Sequence, residues 1–267
     1  MDVVRPDFLP DASLSREEME SLQREIAESA VFEDDLGVEP ERICGASDAA
    51  ESEPGEGSAA VSPLVAGVDQ AFVDEMAVSV VVLLRDGEVV ERVHAVEPVD
   101  IPYIPGLLSF REGDAILSAF DELSRTPDLV LLDGSGRIHF REAGIATHVG
   151  VILDLPTVGV AKSLLCGTPR ESLDRKLPAG TTVPIDADDD VTTADPGTHI
   201  GDAVQTRQFE HSERYVNPLI VSPGHRVSAD TAADVVLACA DGYKLPEPTR
   251  LADAYADEVK AEVRTDG

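Results

Sequence analysis

Apolar positions along the chain change period several times, and each change marks an element. Between residues 16 and 31 they fall at Met19, Leu22, Ile26 and Ala30, the three-to-four spacing that lines one face of an α-helix. Ser15-Arg16-Glu17-Glu18 opens that stretch as a capping box. A second ordered region begins at 64–69. Residues 77–84 are an apolar, β-branched run that predicts a buried strand. Asp86-Gly87 is a hairpin signal, and 89–96 read as the returning strand. After a proline-rich loop at 98–105, helical spacing returns at Ile116, Phe120 and Leu123 and predicts a helix over 109–123. Residues 129–132 form a short apolar strand ending in Asp133, 144–153 a buried helix and 157–160 another strand. The stretch 181–205 carries Asp186, Asp188, Asp189 and Asp190 with two prolines and reads as an acidic loop or mobile hairpin. A last strand follows at 219–222, then helices at about 231–240 and 250–263. This order predicts an α/β fold, a mixed β-sheet flanked by helices on both faces. One domain over 10–263 is expected, interrupted at about 46–62 by a flexible insertion of acidic and small residues.

Charge changes the picture more than composition does. Of 267 residues, 43% are hydrophobic, enough for a sizeable core. Yet 52 acidic residues face 21 basic ones, a formal net charge of −31. Alone, that balance argues for an acidic interaction protein and against nucleic acid, whose phosphates call for a basic footprint. Adaptation to high internal salt explains it better, because the acid is spread along the whole chain and salt screens its self-repulsion. Lysine is scarce, so a lysine in an apolar setting needs a reason. Cys44, Cys166 and Cys239 are odd in number and share no close spacing, so small buried apolar residues are expected rather than a disulfide framework or a zinc site. No signal peptide is expected, and no apolar run reaches the roughly 20 residues of a membrane helix. A soluble, cytoplasmic monomer is expected.

Several chemistries can be set aside. Gly134-Ser135-Gly136 follows a strand, but His139 stands where a dinucleotide fingerprint needs its third glycine. Lys162-Ser163 ends like a phosphate loop, yet Ala161 and Pro156 replace its glycines, and no serine sits in a nucleophile elbow. What remains is acids at strand ends. Asp69 closes Leu-Val-Ala-Gly-Val-Asp and Asp133 closes Leu-Val-Leu-Leu-Asp. Taken singly, each is better explained as a turn or helix cap. On neighbouring strands, they would hold a hard divalent cation together. Glu112, in the first turn of its helix, also suits the helix dipole. Lys162 ends Thr-Val-Gly-Val-Ala-Lys, where it would either meet a phosphate or bury its stem and send its head to solvent. His139, His148, His199, His211 and His225 are candidate bases or ligands, though a lone histidine is more often structural. Pro102-Tyr103-Ile104-Pro105-Gly106 is a rigid apolar loop, either a wedge between bases or a loop packed on the sheet.

Taken together, these segments resemble the endonuclease V family. The matching words are Ala66-Gly67-Val68-Asp69, Pro102 through Glu112, Pro127 through Gly134, Gly144 through His148, Pro156 through Ser163, Ser222 through Arg226 and Leu245 through Arg250. The resemblance implies a ribonuclease-H-like fold and hydrolysis of the second phosphodiester 3′ to a deaminated base, leaving 3′-hydroxyl and 5′-phosphate ends. It implies that Asp69 and Asp133 bind Mg²⁺, for which Mn²⁺ substitutes, with Glu112 in the same acidic cluster. By the same resemblance, His225 would sit in the outer metal shell, Lys162 near the scissile phosphate, and His139 against substrate. Pro102, Tyr103, Ile104 and Pro105 would fill the gap left by an extruded base, and main chain at Leu108, Gly134, Gly136 and Ile145 would line its pocket. The implied partner is DNA containing deoxyinosine, with inosine-containing RNA as the alternative. Phe140 and Ser135 depart from the family, which often has proline and then glutamine or histidine at these places.

Overall fold

The computed structural model describes residues 1–38, 42–43, 62–99, 101–209 and 215–266, so the expected insertion lies almost wholly outside the described residues, as does His211. The helices are α1 (Arg16–Ser29), α2 (Leu108–Asp121), α3 (Ile145–Leu153), α4 (Ala229–Ala238) and α5 (Glu247–Asp266). The strands are β1 (Val65–Val73), β2 (Met76–Arg85), β3 (Glu88–Pro98), β4 (Leu129–Asp133), β5 (Thr157–Ala161), β6 (Thr168–Pro169), β7 (Thr182–Asp186), β8 (His199–Val204) and β9 (Leu219–His225). They form one sheet in the order β3-β2-β1-β4-β5-β9-β8-β7-β6. β4 runs parallel to its neighbours β1 and β5, while the other pairs are antiparallel.

Strand alternation sorts the core onto two faces. Ala66, Val68, Val130 and Leu132 pack with Ile26 of α1, Ile116 and Phe120 of α2 and Val149 of α3. Opposite them, Leu129, Leu131, Val158 and Val160 meet Val235 and Val236 of α4. Farther along that face, Val78, Val80 and Val82 meet Ala252, Ala256 and Val259 of α5. Helices thus cover both faces. A β4 buried on two sides explains why its sequence is an unbroken apolar run. Burying each such aliphatic side chain stabilises the fold by about 1.5–3 kcal/mol. The capping box forms as read: Ser15 Oγ accepts from the Glu18 N–H, and the Glu18 carboxylate accepts from the Ser15 N–H. Asp86 and Gly87 have φ of 53° and 76°, the mirror-image turn that joins twisted strands.

One open alternative is decided and one expectation changes. The stretch 181–205 holds β7 and β8, an antiparallel hairpin joined to the sheet through β9. Val183, Ile185, Ile200 and Ala203 anchor it against Ile138 and Leu177, and Asp188, Asp189 and Asp190 sit in the connection between the strands. Cys239 is disulfide-bonded rather than a free buried thiol, whereas Cys166 is free and buried.

Candidate metal centre and nucleic-acid interface

The last β1–β4 partners are Val68 and Leu132, so Asp69 and Asp133 come next, side by side where β4 leaves the sheet. Alternation turns both toward the face covered by α4 and α5, Asp69 in phase with Val65 and Ala71, Asp133 with Leu129 and Leu131. Burial pushes the Asp69 carboxyl up to about 7, helped by the charge of Asp133 and a hydrogen bond to it. Glu112, on α2, is near enough for the charge of Asp133 to act on its carboxyl. That helix begins at Leu108, so Glu112 lies just beyond the first turn, on the buried stripe with Ser109, Gly113 and Ile116. Burial pushes its carboxyl up to about 7 as well, with Arg111 opposing and the charge of Asp133 adding.

Lys162, directly after β5, supplies the counter-charge. Its Nζ donates to Asp133 Oδ2 at 2.8 Å and lies 3.8 Å from Asp253 Oδ1. Burial opposes its charge, but the bond to Asp133 and the carboxylates of Asp133, Asp69 and Asp253 hold its pKa above the ordinary value. Asp253 is the acid that the sequence reading missed. It follows Ala252, which α5 buries against the sheet, and nothing in the pattern separates it from the other acids of a chain this acidic. Only the docking of α5 brings it to Lys162.

This donor set fits a hard divalent cation. All the candidate ligand atoms are carboxylate oxygens, and burial pushes Asp69 and Glu112 toward their neutral forms, a cost that such a cation would offset by favouring the ionised ones. Elsewhere, His199, Asp202 and Asp230 have ligand atoms within 4.8 Å of one another, which among the described residues no other group of three or more His, Cys, Asp or Glu side chains does. This group belongs to β8 and α4, three strands across the sheet from β4, about 14 Å at 4.8 Å per strand. His199 Nε2 already pairs with Asp202 Oδ2 at 3.1 Å.

His225 is not brought to the acids. It pairs with Thr157 at the start of β5, whereas Lys162 follows the other end of that strand. Its Nδ1 accepts from the Val31 N–H at 3.2 Å, which leaves the proton on Nε2 to face Asp154 Oδ1 at 3.2 Å. The resemblance carried a motif across, but the strand direction puts that histidine at the far edge, where it ties the segment after α1 to the sheet.

Beside Asp133 opens a cavity of about 170 Å³, lined by Tyr103, Leu108, Gly134, His139, Ile145 and Leu165. Drug-sized ligands occupy about 300–1,000 Å³, so this space suits one ring system. Gly134 leaves it open because a Cβ there would lie 2.5 Å from Ile145 Cγ2. The N-terminus of α3, at Gly144 and Ile145, faces the same space. Tyr103 is 66% exposed at its mouth. Pro102 and Pro105 are exposed beside it, while Ile104 packs against Met19, Leu107 and Phe110. Gly136 lies behind the cavity, its N–H donating to Ser222 Oγ and its carbonyl accepting from Gly144. His139 is buried, its Nε2 3.1 Å from the Gly106 carbonyl and its Nδ1 accepting from the Arg141 N–H. It presents the ring, with both nitrogens engaged by the protein.

Comparison with known proteins bears on all of this. The sequence model of the family described as endonuclease V matches residues 48–254. Endonuclease V of the halophilic archaeon Haloarcula marismortui is 64% identical over 265 residues, covering 97% of this chain and 98% of its own length. The crystal structure of endonuclease V from Streptomyces avermitilis superimposes with a TM-score of 0.71 at 32% identity, over 96% of this chain and 98% of that one. The Ciona intestinalis enzyme, solved in complex with a 24mer DNA containing an inosine followed by a ribo-adenosine, shares the fold at a TM-score of 0.67 and 24% identity, over 92% of this chain and 98% of that one. The ribonuclease-H-like fold implied by the sequence words is the fold of this sheet.

Proposed function

The chain belongs to the endonuclease V family, and on that premise we propose that it is a metal-dependent repair endonuclease cutting a strand beside a deaminated base. Its membership makes it a nuclease. The cleavage site, the second phosphodiester 3′ to hypoxanthine, is our reading, as are the 3′-hydroxyl and 5′-phosphate products.

One observation carries it: the base-sized cavity and the acid cluster meet at a single dipeptide, Asp133-Gly134. A base held in the cavity therefore sets its own 3′ backbone beside Asp69, Asp133 and Lys162. In this proposal Asp69 and Asp133 hold Mg²⁺ or Mn²⁺, with Glu112 alongside. When bound, the cation lowers the pKa of a water and neutralises charge that develops on the phosphate. Lys162 orients the phosphate and stabilises the leaving oxygen. Tyr103, on its proline-stiffened loop, fills the gap left by the extruded base, and extrusion is easiest for a mispaired base. Leu108, Gly134, Ile145 and the ring of His139 enclose that base.

The substrate we propose is DNA containing deoxyinosine, in line with what the Ciona enzyme was found to hold. Inosine-containing RNA is the alternative. Among the described residues no helix is long and apolar enough to cross a membrane. We read the chain as a single-domain cytoplasmic monomer adapted to high salt.

A nicking assay on a labelled strand with one inosine, run in DNA and RNA versions with Mg²⁺ at high salt, tests this directly. A single cut one nucleotide beyond the lesion, absent with Asp69→Ala, is the expected result. Cutting that ignores the lesion would replace the repair activity with that of a structure-selective nuclease.

A further inference from the structure

We propose that Gln23, His139 and Arg141 are positioning residues that hold the Tyr103 loop in place through one atom, the carbonyl oxygen of Gly106. Three buried side chains converge on it. Gln23 Nε2 donates at 2.8 Å, His139 Nε2 lies at 3.1 Å and Arg141 Nη2 donates at 3.3 Å. Gln23 is 1% exposed, His139 3% and Arg141 8%. A carbonyl has two lone pairs and is ordinarily satisfied by one or two donors. Here three are aimed at a single loop residue.

The donors are themselves held in order. Arg141 Nε donates to Gln23 Oε1 at 2.7 Å, which turns the glutamine amide so that its NH₂ faces Gly106. The Arg141 N–H donates to His139 Nδ1 at 3.2 Å, which leaves the imidazole proton on Nε2 and directs it at the same carbonyl. Glu20, 3.8 Å from Arg141 Nη1, offsets the buried guanidinium charge. Each donor thus has its orientation set by a second bond, and the network spans α1 and the connection between β4 and α3.

Gly106 is where the loop turns. Its φ of +80° is the left-handed conformation that glycine adopts freely, and a Cβ there would meet the Phe140 ring at 3.0 Å. Tyr103 stands three residues away, exposed, with few packing contacts of its own to resist displacement. A side chain that enters a base stack needs its support fixed beforehand, because any yielding of the loop gives back the energy of unstacking. Fixing the carbonyl at the loop base supplies that support. The network also gives His139 a role that its direct contact with a base would not, since neither nitrogen is free to read one.

This inference rests on the wedge role proposed for Tyr103, and its test separates the two. Hydrogen exchange of the loop amides at 101, 103, 104, 106 and 107 is measured in the wild type, in Gln23→Met and in Arg141→Lys, which keeps the charge but loses the fork. At least tenfold faster exchange confined to this loop is expected in both variants. Unchanged loop exchange in both folded variants overturns the proposal, whatever the activity. Cutting is then compared on inosine in a duplex and in a single strand. Arg141→Lys should lose at least tenfold on the duplex and less than threefold on the single strand, matching Tyr103→Ala, and the double variant should be no worse than the poorer single one. Equal losses on both substrates for Arg141→Lys would mark general damage and overturn the positioning role. If Tyr103→Ala cuts the duplex normally while loop exchange quickens, the wedge role fails and the anchoring of the loop stands.

Discussion

Asp69 and Asp253 show how differently two residues of one site can be announced. Asp69 ends an apolar run, where an unpaired carboxylate is costly, so chemistry flags it. Asp253 sits half-exposed on a polar helix face among many acids, and only its 3.8 Å approach to Lys162 singles it out. Asp69→Asn should lower single-turnover cutting by about 10³-fold, the several kcal/mol that a held cation contributes to phosphoryl transfer. Asp253→Ala, which leaves both strand-end acids in place, should cost about tenfold. Equal losses in the two variants would show that Asp253 stands among the primary ligands. His148 offers a separate test, on stability. It is fully buried, its Nε2 lies 2.7 Å from the Phe8 carbonyl, and burial pushes its pKa down from 6.5 to about 4. The folded chain therefore keeps it neutral, while the unfolded chain takes up a proton below pH 6.5. Its contribution to stability is complete above about pH 6.5 and is lost progressively as pH falls toward 4. Over that window the wild type should lose stability faster than His148→Gln by up to about 1.4 kcal/mol per pH unit. Parallel urea-unfolding profiles for the two proteins across pH 4 to 6.5 would refute it.

Among elements, the period of the apolar positions announced α1 to α5, β1 to β5 and β9, because each must bury a face. What it could not announce was direction and partner. His225 ends a strand as Asp133 does, but β9 runs antiparallel to β5, and this sends the two residues to opposite edges of the sheet. The sequence left 181–205 open between a loop and a hairpin, because the acids of the connection outweigh four buried aliphatic positions in any composition window. The docking of α5 on β1 is equally invisible in the pattern, yet it brings Asp253 to Lys162. It depends on Gly67, where a Cβ would lie 1.9 Å from the Pro248 carbonyl oxygen. Since both partners are backbone, neither can turn aside. Gly67→Ala should destabilise the protein by about 3 kcal/mol through overpacking. It should also cut activity beyond what the folded fraction explains, since α5 carries Asp253. A folded Gly67→Ala protein with normal activity would show that α5 can shift without disturbing the site.

At the scale of the whole molecule the open problem is how a chain of net charge −31 holds a polyanion. Several arginines are committed to acids within the fold, among them Arg170 to Asp186, Arg175 to Glu171, Arg226 to Asp35 and Arg250 to Glu247. Cations bound in this way release few counterions when DNA arrives. Each phosphate that is neutralised normally adds about −0.9 to the slope of log affinity against log salt. A chain that grips its substrate through one cavity, one cation site and Lys162 should show a slope shallower than about −2. Meanwhile the repulsion among its acids, and between them and DNA, is long-ranged at low salt. It is screened within about 3 Å at 1 M against about 10 Å at 0.1 M. Screening therefore helps both folding and encounter, while the counterion penalty stays small. Lesion-dependent cutting should accordingly persist at molar KCl, and the thermal midpoint should rise between about 0.1 M and 2 M salt. Binding of an inosine strand by Asp69→Asn, titrated over the same range, isolates affinity from chemistry. A slope near −5, with full activity at low salt and none at molar salt, would mean that a concentrated basic surface carries the DNA, and that the acidity is no adaptation to salt.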